Sequence, residues 1–100
     1  AAGGLRYDAR RLQATYAGRD VELSRNEGQL LEALLRAGGR VVRRDTLLVA
    51  LWDDAEFVDD NTLTVNVNRL RRKLAELGLE EAVRTVRGEG YRLEPPGGRA

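Results

Sequence analysis

Thr62, Val65, Asn66 and Arg69 lie within two helical turns of one another and combine the chemical groups that tell base pairs apart in a DNA groove. A guanidinium can give a bidentate pair to guanine O6 and N7. An amide can pair with adenine N6 and N7, and Val and Thr can set methyl groups against thymine. Arg72 and Lys73, next along, suit phosphates, which supply affinity and register but no sequence information. From 61 to 75 the segment has no acidic residue, whereas a merely solvated helix face usually mixes both signs of charge.

A second basic group lies in Arg84-Thr-Val-Arg-Gly-Glu-Gly-Tyr91. Gly88 and Gly90 permit a tight turn with positive φ. Arg87 at its tip suits a minor groove, and Thr85 can donate to a phosphate. Gly88-Glu-Gly90 lacks the rest of a nucleotide-binding fingerprint and leads into a strand, so that reading is set aside. Trp52 is large enough both to pack in a core and to donate its indole N–H to a phosphate.

Composition narrows the alternatives. The 100 residues contain no Cys and no His, which removes disulfides, the usual zinc ligands and the commonest general base. No carboxylate pair sits in a plausible apolar cleft, so an enzyme is the weakest reading, and no cofactor or metal is expected. No apolar run approaches the roughly 20 residues that cross a membrane, and no signal pattern opens the chain. A cytoplasmic location is the default. The net charge of +1 says little, but its distribution says more. Acids crowd 53–60 (Asp53, Asp54, Glu56, Asp59, Asp60), whereas 61–92 carries seven basic residues against four acidic ones. Such segregation suits an anionic partner on one face and a separate acidic loop.

The elements that must position these groups are readable in outline. Residues 1–4 read as a linker remnant and 94–100 as a tail, leaving one domain over 5–93. Leu5–Asp8, Leu12–Tyr16 and Val21–Leu23 alternate like short strands, with turn signals between them. Ser24-Arg-Asn-Glu27 is a capping box. It opens a helix with Leu30, Leu31, Leu34 and Leu35 on one stripe, stopped by Gly38-Gly39. Val41-Val42 reads as a connector. A second helix spans about 44–52, and 53–60 as a loop. Asp59 or Asp60 caps a third helix that ends near Gly78. Its core stripe is Leu63, Val67, Leu70, Leu74 and Leu77, with Thr62, Val65, Asn66, Arg69, Arg72 and Lys73 beside it and Thr64, Asn68 and Arg71 beyond. Arg71 is left open between a phosphate and an acid inside the domain. Val83–Val86 and Tyr91–Leu93 form the closing hairpin. The fold expected is α+β: a winged helix-turn-helix with an N-terminal antiparallel sheet, three helices and a C-terminal β-hairpin wing.

Residues 5–93 resemble the C-terminal effector domain of OmpR/PhoB-type response regulators. The likeness is carried by Val21-Glu-Leu-Ser-Arg-Asn-Glu27 leading into Leu30-Leu31, by Gly39-Arg-Val-Val42, Leu47-Leu48 and Trp52, and by Arg69-Leu-Arg-Arg-Lys-Leu74 and Arg84-Thr-Val-Arg-Gly-Glu-Gly-Tyr-Arg-Leu93. Asp60-Asn-Thr-Leu-Thr-Val-Asn-Val-Asn-Arg-Leu-Arg looks most like the branch linked to cell-envelope stress and antimicrobial-peptide resistance. The resemblance implies a four-stranded N-terminal sheet. It also implies bacterial transcription control through a separate receiver domain, absent from this chain, that a sensor histidine kinase phosphorylates. It further implies head-to-tail dimers on direct repeats of double-stranded DNA, and RNA polymerase contact through the loop holding Asp53, Asp54, Glu56 and Asp59. Three positions depart from the family pattern. Gly28 replaces a large residue, which predicts looser packing. Arg43 replaces a Ser cap and offers a phosphate contact. Thr64 replaces an Asp, which removes a negative charge from the reading helix.

The alternative of another class is a winged-helix protein-interaction module whose basic face meets an acidic protein. Such a partner needs only charge, whereas base readout needs amide, guanidinium and methyl groups together.

Overall fold

The computed structural model describes residues 4–52 and 60–94, excepting the side chains of Trp52 and Asp60. The acidic segment 53–59 and its four expected polymerase contacts lie outside the described residues, as do 1–3 and 95–100.

Three strands come first: β1 (Arg6–Asp8), β2 (Gln13–Tyr16) and β3 (Arg19–Glu22), antiparallel in the order β1-β2-β3. Ala17 and Gly18 join the paired Tyr16 and Arg19 with φ of 53° and 80°. Positive φ at both positions is the type I′ turn, whose twist matches that of the flanking strands. The fourth strand implied by the resemblance is not found among the described residues, where the chain enters β1 from a turn at Gly4.

Helix α1 (Arg25–Arg36) opens on the expected capping box. The Glu27 N–H donates to Ser24 Oγ at 3.1 Å, and the Ser24 N–H donates to Glu27 Oε1 at 2.8 Å. Its Leu30, Leu31 and Leu34 are buried. The looser packing expected at Gly28 is not found. The Tyr7 hydroxyl, reaching over from β1, fills the space where a β-carbon would stand.

Val42, expected in the connector, and Arg43, expected at the cap position of the second helix, form β4 and pair with Tyr91 and Gly90. Helix α2 (Arg44–Trp52) follows at once and buries Leu47 and Leu51. Helix α3 (Asp60–Ala75) buries Leu63, Val67, Leu70 and Leu74 against α1 and α2. Burial of each such side chain is worth about 1.5–3 kcal/mol. A Schellman motif ends α3. The Leu79 N–H donates to the Leu74 carbonyl and the Gly78 N–H to the Ala75 carbonyl, both at 2.9 Å, with Gly78 at φ 82°.

Strands β5 (Val83–Val86) and β6 (Gly90–Leu93) form the wing, in a second sheet of order β4-β6-β5. The Glu89 N–H donates to the Val86 carbonyl at 2.9 Å across the tip. Gly90 lies so close to Val42 and Arg43 that a β-carbon there would overlap the backbone of β4. Glu94, expected in the tail, is bonded to the end of this sheet. Its N–H donates to the Ala82 carbonyl at 2.7 Å, and its carboxylate takes Arg84 at 2.6 Å and Arg92 at 3.5 Å.

Candidate nucleic-acid interface

Helix α3 has its buried stripe where the leucines predict it, but its outer face is turned from the one expected. At about 100° per residue, Asn61, Thr64, Val65, Asn68, Arg69 and Arg72 fall opposite the leucines, and all six are exposed. Asn66 does not belong with them. It is 5% exposed, and its Nδ2 donates to the Thr62 carbonyl at 2.9 Å. An amide so placed is spent within its own helix, so the expected adenine contact is withdrawn from Asn66. Thr62 is half-buried on the same flank. The amide that does face outward is Asn68, expected beyond the reading face. The signal that finds it is the pole opposite the leucine stripe, rather than the flank richest in amide and methyl groups.

Lys73 lies on the inner flank too. It is half-buried, and its Nζ donates to the Glu22 carbonyl of β3 at 3.1 Å. This bond ties α3 to the first sheet and occupies the ammonium that the sequence assigned to phosphate. A second tie runs the other way, from Arg19 Nη1 to the Glu76 carbonyl at 3.3 Å.

Within the domain Arg71 meets neutral partners and no acid among the described residues. Nε donates to the Val83 carbonyl at 3.1 Å, Nη2 to Thr85 Oγ1 at 2.8 Å and Nη1 to Asn68 Oδ1 at 3.2 Å. Its guanidinium lies 5.9 Å from the centre of the buried Tyr91 ring. Arg44, at the start of α2, lies 5.7 Å from the same centre and donates from Nη1 to the Tyr91 hydroxyl at 3.1 Å. Sequence reasoning assigned no role to Arg44 or Tyr91.

On the wing, Arg87 is exposed at the tip as expected, next to Gly88 at φ 76°. Arg84 stands at the base, where the close guanidinium holds the Glu94 carboxyl below its usual range, chiefly through the hydrogen bond and then through charge. Thr85 is exposed. Its oxygen accepts from Arg71, and its own hydrogen stays available to donate. Arg43 is exposed in β4, immediately before α2. The phosphate contact expected of Trp52 lies outside the described side chains. Among the described residues, Arg69, Arg72 and Arg87 make no ion pair or hydrogen bond, so three cationic side chains stand ready on one stretch of α3 and on the wing tip. No group of acidic side chains able to hold a metal occurs among the described residues, and no helix there is long and apolar enough to cross a membrane.

This geometry has relatives. The response regulator GraR of Staphylococcus aureus is 55% identical over 71 residues, which are 71% of this chain and 32% of that protein. The chain spans two fifths or less of the length of the curated relatives it matches first. Among solved structures, the C-terminal domain of the nisin resistance regulator NsrR, a lantibiotic response regulator, superposes with a TM-score of 0.80 at 38% identity, over 93% of each chain. The Klebsiella pneumoniae RstA DNA-binding domain, solved in complex with the RstA box, superposes with a TM-score of 0.75 at 30% identity, over 95% of each chain. Residues 18–93 match the family model described as transcriptional regulatory protein, C terminal. The chain therefore belongs to that family, the non-enzymatic winged-helix effector domains of OmpR/PhoB-type response regulators.

Proposed function

We propose that this domain reads double-stranded DNA with the outer face of α3 in a major groove and the wing tip in the adjoining minor groove. The observation that carries the reading is the acid-free outer face of α3, on which Thr64, Val65, Asn68 and Arg69 present methyl, amide and guanidinium groups together. Arg69 suits guanine, and the exposed Asn68 suits adenine through its Nδ2 and the second lone pair of an Oδ1 that also accepts from Arg71. Thr62 stays a candidate at the edge of that face. Arg72, Arg43 and Thr85 suit phosphates, with Trp52 a further candidate on sequence grounds, and Arg87 suits the minor groove. Likeness to RstA, solved on its DNA box, supports this placement.

The finer reading follows the relatives. The domain acts as the output part of a bacterial response regulator, under a receiver domain that a sensor histidine kinase phosphorylates. It binds direct repeats as a head-to-tail dimer. Its acidic segment, with Asp53, Asp54, Glu56 and Asp59, meets RNA polymerase. Likeness to a nisin resistance regulator favours the branch concerned with antimicrobial-peptide resistance.

Selection from a random DNA pool at two salt concentrations tests the proposal. An enriched motif, repeated about one helical turn apart, supports it. Salt-sensitive binding without a motif reduces it to phosphate attraction. No binding at low salt favours an acidic protein partner instead.

A further inference from the structure

We infer that Arg71 is a positioning residue that sets the wing against α3 and so fixes where Arg87 meets DNA relative to Arg69; the inference rests on the DNA reading above. A guanidinium presents five donors in one rigid plane. Arg71 uses that plane to join two elements: Val83 and Thr85 on β5, and Asn68 on α3 itself. None of the three acceptors is charged, so the arrangement serves geometry more than charge neutralisation.

Val83, Tyr91 and Leu93 seat the wing in the core that α3 shares, and burial of this kind is non-directional, so directional bonds must set its angle. Its own two strands pair with each other, and Gly90 and Tyr91, just after the tip, pair with two residues of β4. Tyr91 in the central strand lies under the Arg71 guanidinium from α3 and takes a hydrogen bond from Arg44 of α2. Both helices of the helix-turn-helix therefore grip the wing through one aromatic ring. Among the described residues, Arg71 is the α3 side chain that also hydrogen-bonds the outer strand. A lysine could reach one of its acceptors, not three in a plane.

The competing role is a direct phosphate contact, and the two roles predict different couplings. Arg71→Ala and Arg71→Lys are each combined with Arg87→Ala in this chain. Affinity for the selected DNA site is measured at several salt concentrations. Lysine keeps the charge and the aliphatic stem over Tyr91, so the test survives if the alanine variant does not fold. Positioning predicts that Arg87→Ala weakens binding about tenfold in the otherwise unchanged chain and less than about twofold beside either Arg71 substitution. It predicts that Arg71→Lys is as deficient as Arg71→Ala, with the base preference set by Arg69 unchanged. Rescue by Arg71→Lys overturns the inference. So do losses that multiply, with the salt slope falling by about one more ion when Arg71→Ala joins Arg87→Ala. If the unchanged chain binds no DNA, the DNA reading fails and takes the inference with it. Binding with independent losses removes the inference alone.

Discussion

The Tyr7 hydroxyl occupies the position that a β-carbon on Gly28 would take. Glycine inside a helix ordinarily costs about 1 kcal/mol relative to alanine, so Gly28→Ala should stabilise α1 on propensity alone. Overlap with the ring reverses the sign, since overpacking costs about 1–3 kcal/mol. We expect Gly28→Ala to lower the urea midpoint in the native chain and to raise it in a Tyr7→Ala background. Equal effects in the two backgrounds would show that the ring and the glycine do not compete for space.

Tyr7 also carries an alkaline signature. Burial raises its pKa above the ordinary phenol value, and the nearby Glu32 and Asp8 charges add to this. As pH climbs, the unfolded chain loses the phenol proton first. The contribution of Tyr7 to stability is therefore complete below the ordinary phenol pKa and is lost as pH rises through the higher folded value. Urea midpoints followed from roughly pH 8 to 11 should fall more steeply in the native chain than in Tyr7→Phe. Parallel curves would contradict this.

Arg69 and Asn66, three residues apart, should fail differently. Arg69→Ala should cost about 1–3 kcal/mol at one base pair and relax the preference there, with folding stability nearly unchanged. Asn66→Ala should leave the selected motif intact and lower stability by about 1 kcal/mol, through loss of the bond to Thr62. A motif altered by Asn66→Ala would return that amide to the reading face.

Arg72 and Lys73 make a second contrast between neighbours. Arg72 stands exposed and unpaired among the described residues, whereas Lys73 holds the Glu22 carbonyl. Arg72→Ala should weaken all DNA sequences alike and reduce the slope of log affinity against log salt by about one. Lys73→Ala should change that slope less. The opposite ranking would mean that Lys73 leaves Glu22 when DNA arrives.

The acidic segment predicts a separable defect. Asp54→Ala should leave DNA affinity unchanged and lower transcription from a promoter carrying the selected site. Lost DNA affinity would argue against a polymerase contact there.

Local chemistry made much of this legible in advance. Ser24 and Glu27 are three residues apart, so their capping box could be read from spacing alone. The leucines of α3 repeat at helical spacing, so its buried stripe could be read as well. Asn66 and Lys73 stand differently from the wheel for a shared reason: each lies on the inner flank of α3, where its side chain meets a carbonyl instead of water. A wheel drawn from hydropathy shows the apolar centre of burial, not its polar margin. β4 escaped notice because two residues hold no periodicity, and its partner strand lies nearly fifty residues away. The Tyr7–Gly28 and Arg71–Thr85 pairings likewise exist only once distant elements have met.

The crowding of Gly90 against β4 divides the wing into two zones with different evolutionary freedom. At Gly90, which pairs with Val86 directly after the tip, no side chain larger than hydrogen fits, so sequence drift is closed off at that position. At the tip, Arg87, Gly88 and Glu89 are exposed and answer to little beyond their own turn. Lineages can lengthen, shorten or recharge those three residues to suit a different promoter while the reading helix stays where it is. A domain built this way can acquire new targets by editing a loop, without refolding its core.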